Sequence, residues 1–308
     1  MVHSTGIHGK DKGSEIRMCT ALKYKTCMGR NYDYEQSYKE TIVNIPRNND
    51  GLNHAMIGVC TGFVEDYPLL YDGMNEYGLC TSALAFSGNA HYNKYINEKY
   101  NLPPYDFVHT ILGMHRTVEE AQEYLEDTNI VNTQYNEQFP NSDLHWFICD
   151  KEQAITVEAT KEGLNIYENN QNVLTNNPPY PKQAENCILQ NSMIGTYPKP
   201  EGEYQTRGTE TYGVLGDTTS MSRFQRVKHY KDVMEKAESP FNNIRETFHL
   251  LSTVEQTYGA TPVNDSYEYT IYSVAYDMDN LQMAIKGYDS LYTKQYSINR
   301  TYGWRETL

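Results

Sequence analysis

The sequence has no apolar run that approaches the length of a membrane-spanning helix, and its opening stretch, MVHSTGIHGKDKGSEIR, lacks the apolar centre of a secretory signal. These absences argue against a helical anchor and an export signal, and make a cytoplasmic protein the expectation. Positive charge is scarce: 26 Lys and Arg against 40 Asp and Glu give a formal net charge of -14. Nucleic acid and anionic membrane both require a basic face, so neither is expected as a partner. Cysteine is sparse and scattered. Cys19, Cys27, Cys60, Cys80, Cys149 and Cys187 form no CxxC pair and no Cys/His ligand spacing. That pattern indicates neither a zinc site nor a disulfide framework, and it reads as reduced thiols, most of them small core residues. Phe (8) and Trp (2) are few, whereas Tyr reaches 28. Aromatic surface is therefore supplied mainly by a ring that packs while keeping a hydroxyl for hydrogen bonding, which suits outward strand positions or an amphipathic groove.

What is present is enough chain for one large domain with a proper core. Residues 1–18 are expected to be a leader, disordered or removed, because the first seventeen are polar and aperiodic. Residues 19–308 are expected to form a single domain. CTALKYKTCMGRNYDY, TIVNIPRN, HAMIGVCTGFV and YPLLYDGMNEYGLCTSALAF read as strands, with DGMNEYG as turn chemistry between two of them. Helical spacing follows at Phe107/Ile111/Leu112 and at Val118/Ala121/Leu125, the second introduced by Thr117 with Glu119 and Glu120. LHWFICD, AITVEAT, GLNIYEN and NVLTN resume the strands. Asn177 to about Gly213 reads as loop with a short helix. SRFQRVKHYKDVMEKA and NNIRETFHLLSTVEQT give a second helix pair, and YEYTIYSVAYDMDNLQMAIKGYD closes with two or three strands. Strands and helix pairs alternating in this way predict an α+β fold of two sheets covered by helices, a four-layer sandwich.

The chemistry centres on MCT at residues 18–20. A cysteine nucleophile needs a base and a means of holding the developing oxyanion. Any of the seven histidines from His54 to His249 is a candidate base, although no Cys-His protease signature surrounds a cysteine. If Cys19 becomes the first residue, its own α-amine is the alternative, with an ordinary pKa of about 7.7–8.0. GRNYDYE puts Arg30 and Asp33 on a second hairpin strand beside Cys19. Their odd separation directs them to opposite faces, so a shared site requires a bulge or strand end around Asn31 and Tyr32.

MCT, GRNYDYE, IPRN, DYPLLYDGMNEYGL, LHWFICD, VLTNNP and LGDTTSMSRFQRV, in this order, resemble the choloylglycine hydrolase family, which holds bile salt hydrolases and penicillin V acylases. The resemblance runs collinearly from Met18 nearly to the C-terminus. It implies an αββα N-terminal-nucleophile amidase with two antiparallel sheets, needing no cofactor or metal and forming tetramers. It further implies Cys19 as nucleophile with its α-amine as base, Asp33 bonded to that amine, Arg30 beside the thiol, Asn176 steadying the tetrahedral intermediate, and Arg223 as a second arginine near the nucleophile.

The pattern departs at Ala85, where the family's strand ends in Asn or Tyr. The missing oxyanion-hole donor leaves a backbone N–H, or a neighbour such as Asn89, to help, and such a donor is worth roughly 100- to 1000-fold in rate. The segment RGTETYGVLGDTTS is also thinner in glycine than the family's. EDYPL and FSGNAHY resemble the bile-salt branch of the family more than the penicillin branch, which implies conjugated bile salts as substrate. Penicillin V, acyl-homoserine lactones and other N-acyl amides stay open, as does an inactive ligand-binding homologue. His145 reads as a satisfied sheet residue.

Overall fold

The structure, a computed structural model, describes residues 18–48, 53–62, 64 and 67–308. The expected leader lies outside the described residues except for Met18, and so do Glu65 and Asp66 of EDYPL. The strands are β1 (Cys19–Tyr24), β2 (Cys27–Tyr34), β3 (Thr41–Ile45), β4 (Met56–Cys60), β5 (Leu70–Asn75), β6 (Cys80–Ala85), β7 (Tyr100–Leu102), β8 (Thr128–Ile130) and β9 (Leu144–Cys149). They continue with β10 (Ala154–Thr160), β11 (Gly163–Glu168), β12 (Val173–Leu174), β13 (Thr261–Val263), β14 (Ser266–Asp277), β15 (Gln282–Gly287), β16 (Lys294–Ser297) and β17 (Trp304–Thr307). The helices are α1 (Phe107–Met114), α2 (Val118–Glu126), α3 (Tyr180–Asn191), α4 (Ser220–Lys236) and α5 (Asn243–Ser252).

Among the described residues, a seven-stranded sheet runs β12-β1-β2-β14-β15-β16 with β13 on β14, and an eight-stranded sheet runs β11-β10-β9-β6-β5-β4-β3-β17. The pairings within both are antiparallel. Helices α4 and α5 cover the first sheet and α1 the second, which gives the four layers αββα. Both expected helix pairs form. Thr117 accepts from Glu120 N at the start of α2, and Thr219 and Asn242 cap α4 and α5 in the same way.

Two clusters divide the core. One joins the facing sheets and the α4/α5 layer through Leu22, Met28, Ile57, Met74, Phe147 and Val274. The other fills the space under α1 and α2, where Phe107 stacks on Trp146 at 4.0 Å. Gly29 is required where α5 crosses β2, because a Cβ there would lie 2.4 Å from Thr247 Cγ2.

Two sequence expectations are corrected. DGMNEYG is strand for its first four residues, with Asp72 buried, and the turn follows at Glu76–Gly78, where Asn75 Oδ1 accepts from Tyr77 N and Leu79 N. The C-terminal strands also exceed the expected count, since β17 returns to pair with β3 at the edge of the second sheet. No helix among the described residues is long and apolar enough to cross a membrane.

Candidate active site

β1 and β2 form a hairpin in which Cys19 pairs with Tyr32 and Ala21 with Arg30. Residues directly opposite one another share a face of the sheet, so Cys19 and Arg30 both look into the layer between the sheets. Arg30 Nη2 lies 3.8 Å from Cys19 Sγ and donates to Ala83 O at 2.6 Å. Its Nη1 donates to Asp72 Oδ2 at 2.6 Å and to Tyr71 O at 2.7 Å. The guanidinium is 5.0 Å from the Tyr32 ring centroid. That ring in turn stacks on Tyr71 and Tyr272.

Asp33 lies on the opposite face, as its odd separation from Arg30 requires. Its carboxylate accepts from Thr270 Oγ1 at 2.6 Å, and its main-chain carbonyl is the part of it that lies 4.0 Å from Cys19 Sγ. The register shift falls on β14 between Thr270 and Tyr272 rather than at Asn31 and Tyr32. The shared site arises because Cys19 opens β1. Its thiol points to the layer between the sheets, while its main chain at the strand end is reached from the helix side.

Asn176, just past β12, accepts there from Cys19 N at 2.7 Å. Arg223, in the first turn of α4, donates to Cys19 O at 2.5 Å, to Thr20 Oγ1 at 2.7 Å and to Asn176 Oδ1 at 2.8 Å. Met18 N donates to Glu268 Oε1, so in this chain Cys19 N is a peptide nitrogen. The five residues singled out from the sequence are thus brought together, each at most 4 % exposed.

The electrostatics pull in opposite directions. Burial raises the Cys19 thiol pKa, the Arg30 charge opposes this, and Asp33 adds to the rise. Burial likewise pushes Asp33 up to about 7 against the pull of Arg223 and Thr270. Among the described residues no histidine hydrogen-bonds Cys19. His145 is turned away in the core between Glu158 Oε1 and Thr175 O, stacked on Phe86. Ala85 gives the site no side-chain donor, and its carbonyl accepts from Asn176 Nδ2. Asn89 is engaged with Asn177 and Ser87.

Sequence reasoning missed Asp72, Tyr272, Tyr276 and Glu268. Both tyrosine hydroxyls donate to the Asp72 carboxylate that holds Arg30. The available signal was an acidic residue inside the apolar run YPLLYDGM, together with two tyrosines four apart on one strand face in TIYSVAY.

The chain matches the linear amide C-N hydrolases, choloylglycine hydrolase family, over residues 16–302, and it belongs to that family. It is 38% identical over 301 residues to a bile salt hydrolase/transferase of Lactiplantibacillus plantarum, an alignment covering 92% of this chain and 93% of that one. A mutant conjugated bile acid hydrolase from Clostridium perfringens superposes with a TM-score of 0.84 at 31% identity, covering 95% and 96% of the two chains. Penicillin V acylase from Agrobacterium tumefaciens, at 19% identity and a TM-score of 0.71 over 91% and 86%, shares the fold. The sandwich is therefore that of the N-terminal-nucleophile hydrolases, and the protein is an amide hydrolase.

Proposed function

We propose that this protein hydrolyses the amide bond of glycine- and taurine-conjugated bile salts, with Cys19, freed of everything through Met18, as an N-terminal nucleophile. The observation that carries the reading is that the thiol, nitrogen and carbonyl of Cys19 are each faced by a different buried polar group, Arg30, Asn176 and Arg223. The free α-amine takes the proton of the Cys19 thiol, and the thiolate so formed attacks the amide carbonyl. The resulting ammonium protonates the leaving amine as the C–N bond breaks. Water then cleaves the acyl-thioester, releasing the acid and restoring the thiol. Asn176 and Arg223 supply fixed polarity where charge develops, and Asp33 steadies the amine.

Conjugated bile salts are chosen because similar proteins are named bile salt hydrolase/transferase and conjugated bile acid hydrolase. Residues 1–18 are a removable leader in this reading and 19–308 the mature domain, working as a cytoplasmic homotetramer. The lack of a side-chain donor at Ala85 favours a second reading, an inactive relative that binds amphipathic amides.

Intact mass and N-terminal analysis of the purified protein test both readings when followed by assay on glycocholate, taurocholate and penicillin V. A chain beginning at Cys19 that cleaves the conjugates supports the first. A chain beginning at Cys19 and inert toward every amide supports the second. Preferred cleavage of penicillin V would move the substrate to the acylase branch.

A further inference from the structure

Acceptors outnumber cations around the Cys19 main chain. Asp33 Oδ1 is taken by Thr270, but Oδ2 is buried and unpartnered. Glu268, 2 % exposed, holds the Met18 N–H. Glu268 and Thr270 are two residues apart on β14 and share a face, and Thr270 pairs with Asp33, so the two carboxylates crowd one space. Arg223 faces both, yet its hydrogen bonds go to Cys19 O, Thr20 Oγ1, Asn176 Oδ1 and Thr218 O, none of them a carboxylate. An α-ammonium at Cys19 would bring three N–H donors and one positive charge. The acceptors facing it would be Asn176 Oδ1, already on that nitrogen, then Asp33 Oδ2, and the Glu268 oxygen that loss of Met18 releases.

We propose that Glu268 is a positioning residue for the Cys19 α-amine, a second carboxylate beside Asp33 that orients the ammonium and sets the pH at which it becomes a base. The inference rests on the N-terminal nucleophile proposed above. The charged and titratable groups facing Glu268 are Asp33 and Glu35 from the β2 side and Arg223 from α4, while the uncharged Met18 N–H ahead of β1 is its hydrogen-bond donor. Glu255, Arg30 and the Cys19 thiol act at one remove, through Asp33 or Arg223. In the chain that keeps Met18, burial, with Asp33 adding to it, raises Glu268 to about 8 against the opposing pull of the Met18 N–H and the Arg223 charge.

The test uses the chain released from a fusion with Cys19 as its first residue, and its Glu268→Gln and Glu268→Asp variants. The α-amine pKa is read by competitive acylation with acetic anhydride. Removing a neighbouring negative charge disfavours the ammonium, so E268Q is expected to lower the amine pKa by roughly one unit. The acid limb of the kcat/KM profile on glycocholate moves to lower pH with it, while E268D stays near the parent. An unmoved amine in E268Q, or an equal shift in E268D, overturns the proposal. Carbon-13 titration of the glutamates in the unsubstituted protein gives a readout that survives misfolding of a variant. A glutamate titrating near 8 with Met18 present should disappear when Cys19 is first, and its persistence would equally overturn the assignment. Neither titration depends on a substrate. A chain inert toward amides with a shifted amine retains Glu268's role and loses the hydrolase reading, and an active chain with an unmoved amine does the reverse.

Discussion

Arg30 and Asp72 form an ion pair at 2.6 Å with both side chains at most 2 % exposed, and the other terminal nitrogen of Arg30 faces the Cys19 thiol. Tyr272 and Tyr276 donate to the same carboxylate, so Asp72 fixes where the guanidinium points. Asp72→Ala strands a buried cation, which is expected to lower unfolding stability by about 3–5 kcal/mol. Turnover should fall by on the order of 100-fold as Arg30 loses its aim. Urea unfolding and steady-state kinetics on the same preparation check both. Parent-like values in each would remove Asp72 from the site.

Asn176 Oδ1 accepts from Cys19 N and Arg223 Nη2 together, and its Nδ2 donates to Ala85 O. Asn176→Ala is expected to reduce kcat by roughly 100- to 1000-fold, the scale for losing one fixed polar group at a developing charge, with little change in KM. Asn176→Asp keeps the acceptor but sets oxygen against the Ala85 carbonyl. It should also lower the thermal midpoint, which calorimetry would detect.

The layers were legible in the sequence because each element carries its own period and caps. Val118, Ala121 and Leu125 line the buried side of α2, and Ile155, Val157 and Ala159 alternate with polar residues along β10. The candidate site residues were legible through order along the chain. No local rule brings Cys19 next to Asn176, 157 positions away, or Arg223, 204 positions away. Their convergence depends on β12 pairing with β1 and on α4 starting against the same strand, both long-range pairings. Asp72 was hidden for a related reason: DG followed by NEYG is good turn chemistry, and here burial against Arg30 overrides that local preference. Glu268 is invisible without the β14–β2 register.

Arg30→Lys isolates what the guanidinium does for the thiol. Arg30 reaches Asp72, Ala83 O and Cys19 Sγ from two nitrogens of one planar fork, which a single ammonium cannot reproduce. The lysine is expected to stay with Asp72 and leave the thiol to burial, so the pH profile of iodoacetamide alkylation at Cys19 should shift upward. Cys19→Ala, read in parallel, should abolish hydrolysis while leaving the unfolding midpoint near that of the parent. Unchanged alkylation in Arg30→Lys would show that Arg30 serves the fold alone.

The chain that retains Met18 should lose stability as pH rises. Asp33 titrates at about 7 in the folded chain against its ordinary 3.8, and Glu268 at about 8 against 4.5, burial being the first cause in both. Between roughly pH 4 and 8 the folded state therefore holds protons that the unfolded chain has released, and folding weakens with rising pH across that window. Below the unfolded values both states are protonated, and above the folded values both are deprotonated, so the dependence vanishes in either range, with the loss of stability complete and constant in the upper one. Urea midpoints at pH 5 and pH 8 should accordingly differ more in the Met18-bearing chain than in its Asp33→Asn or Glu268→Gln variants, each of which deletes one titration. The chain that begins at Cys19 supplies an ammonium to the same carboxylates, which restores their charged forms and flattens the slope. An identical pH dependence in all four proteins would mean that the two carboxylates are ionised throughout and compensated by Arg223 without help from the amine.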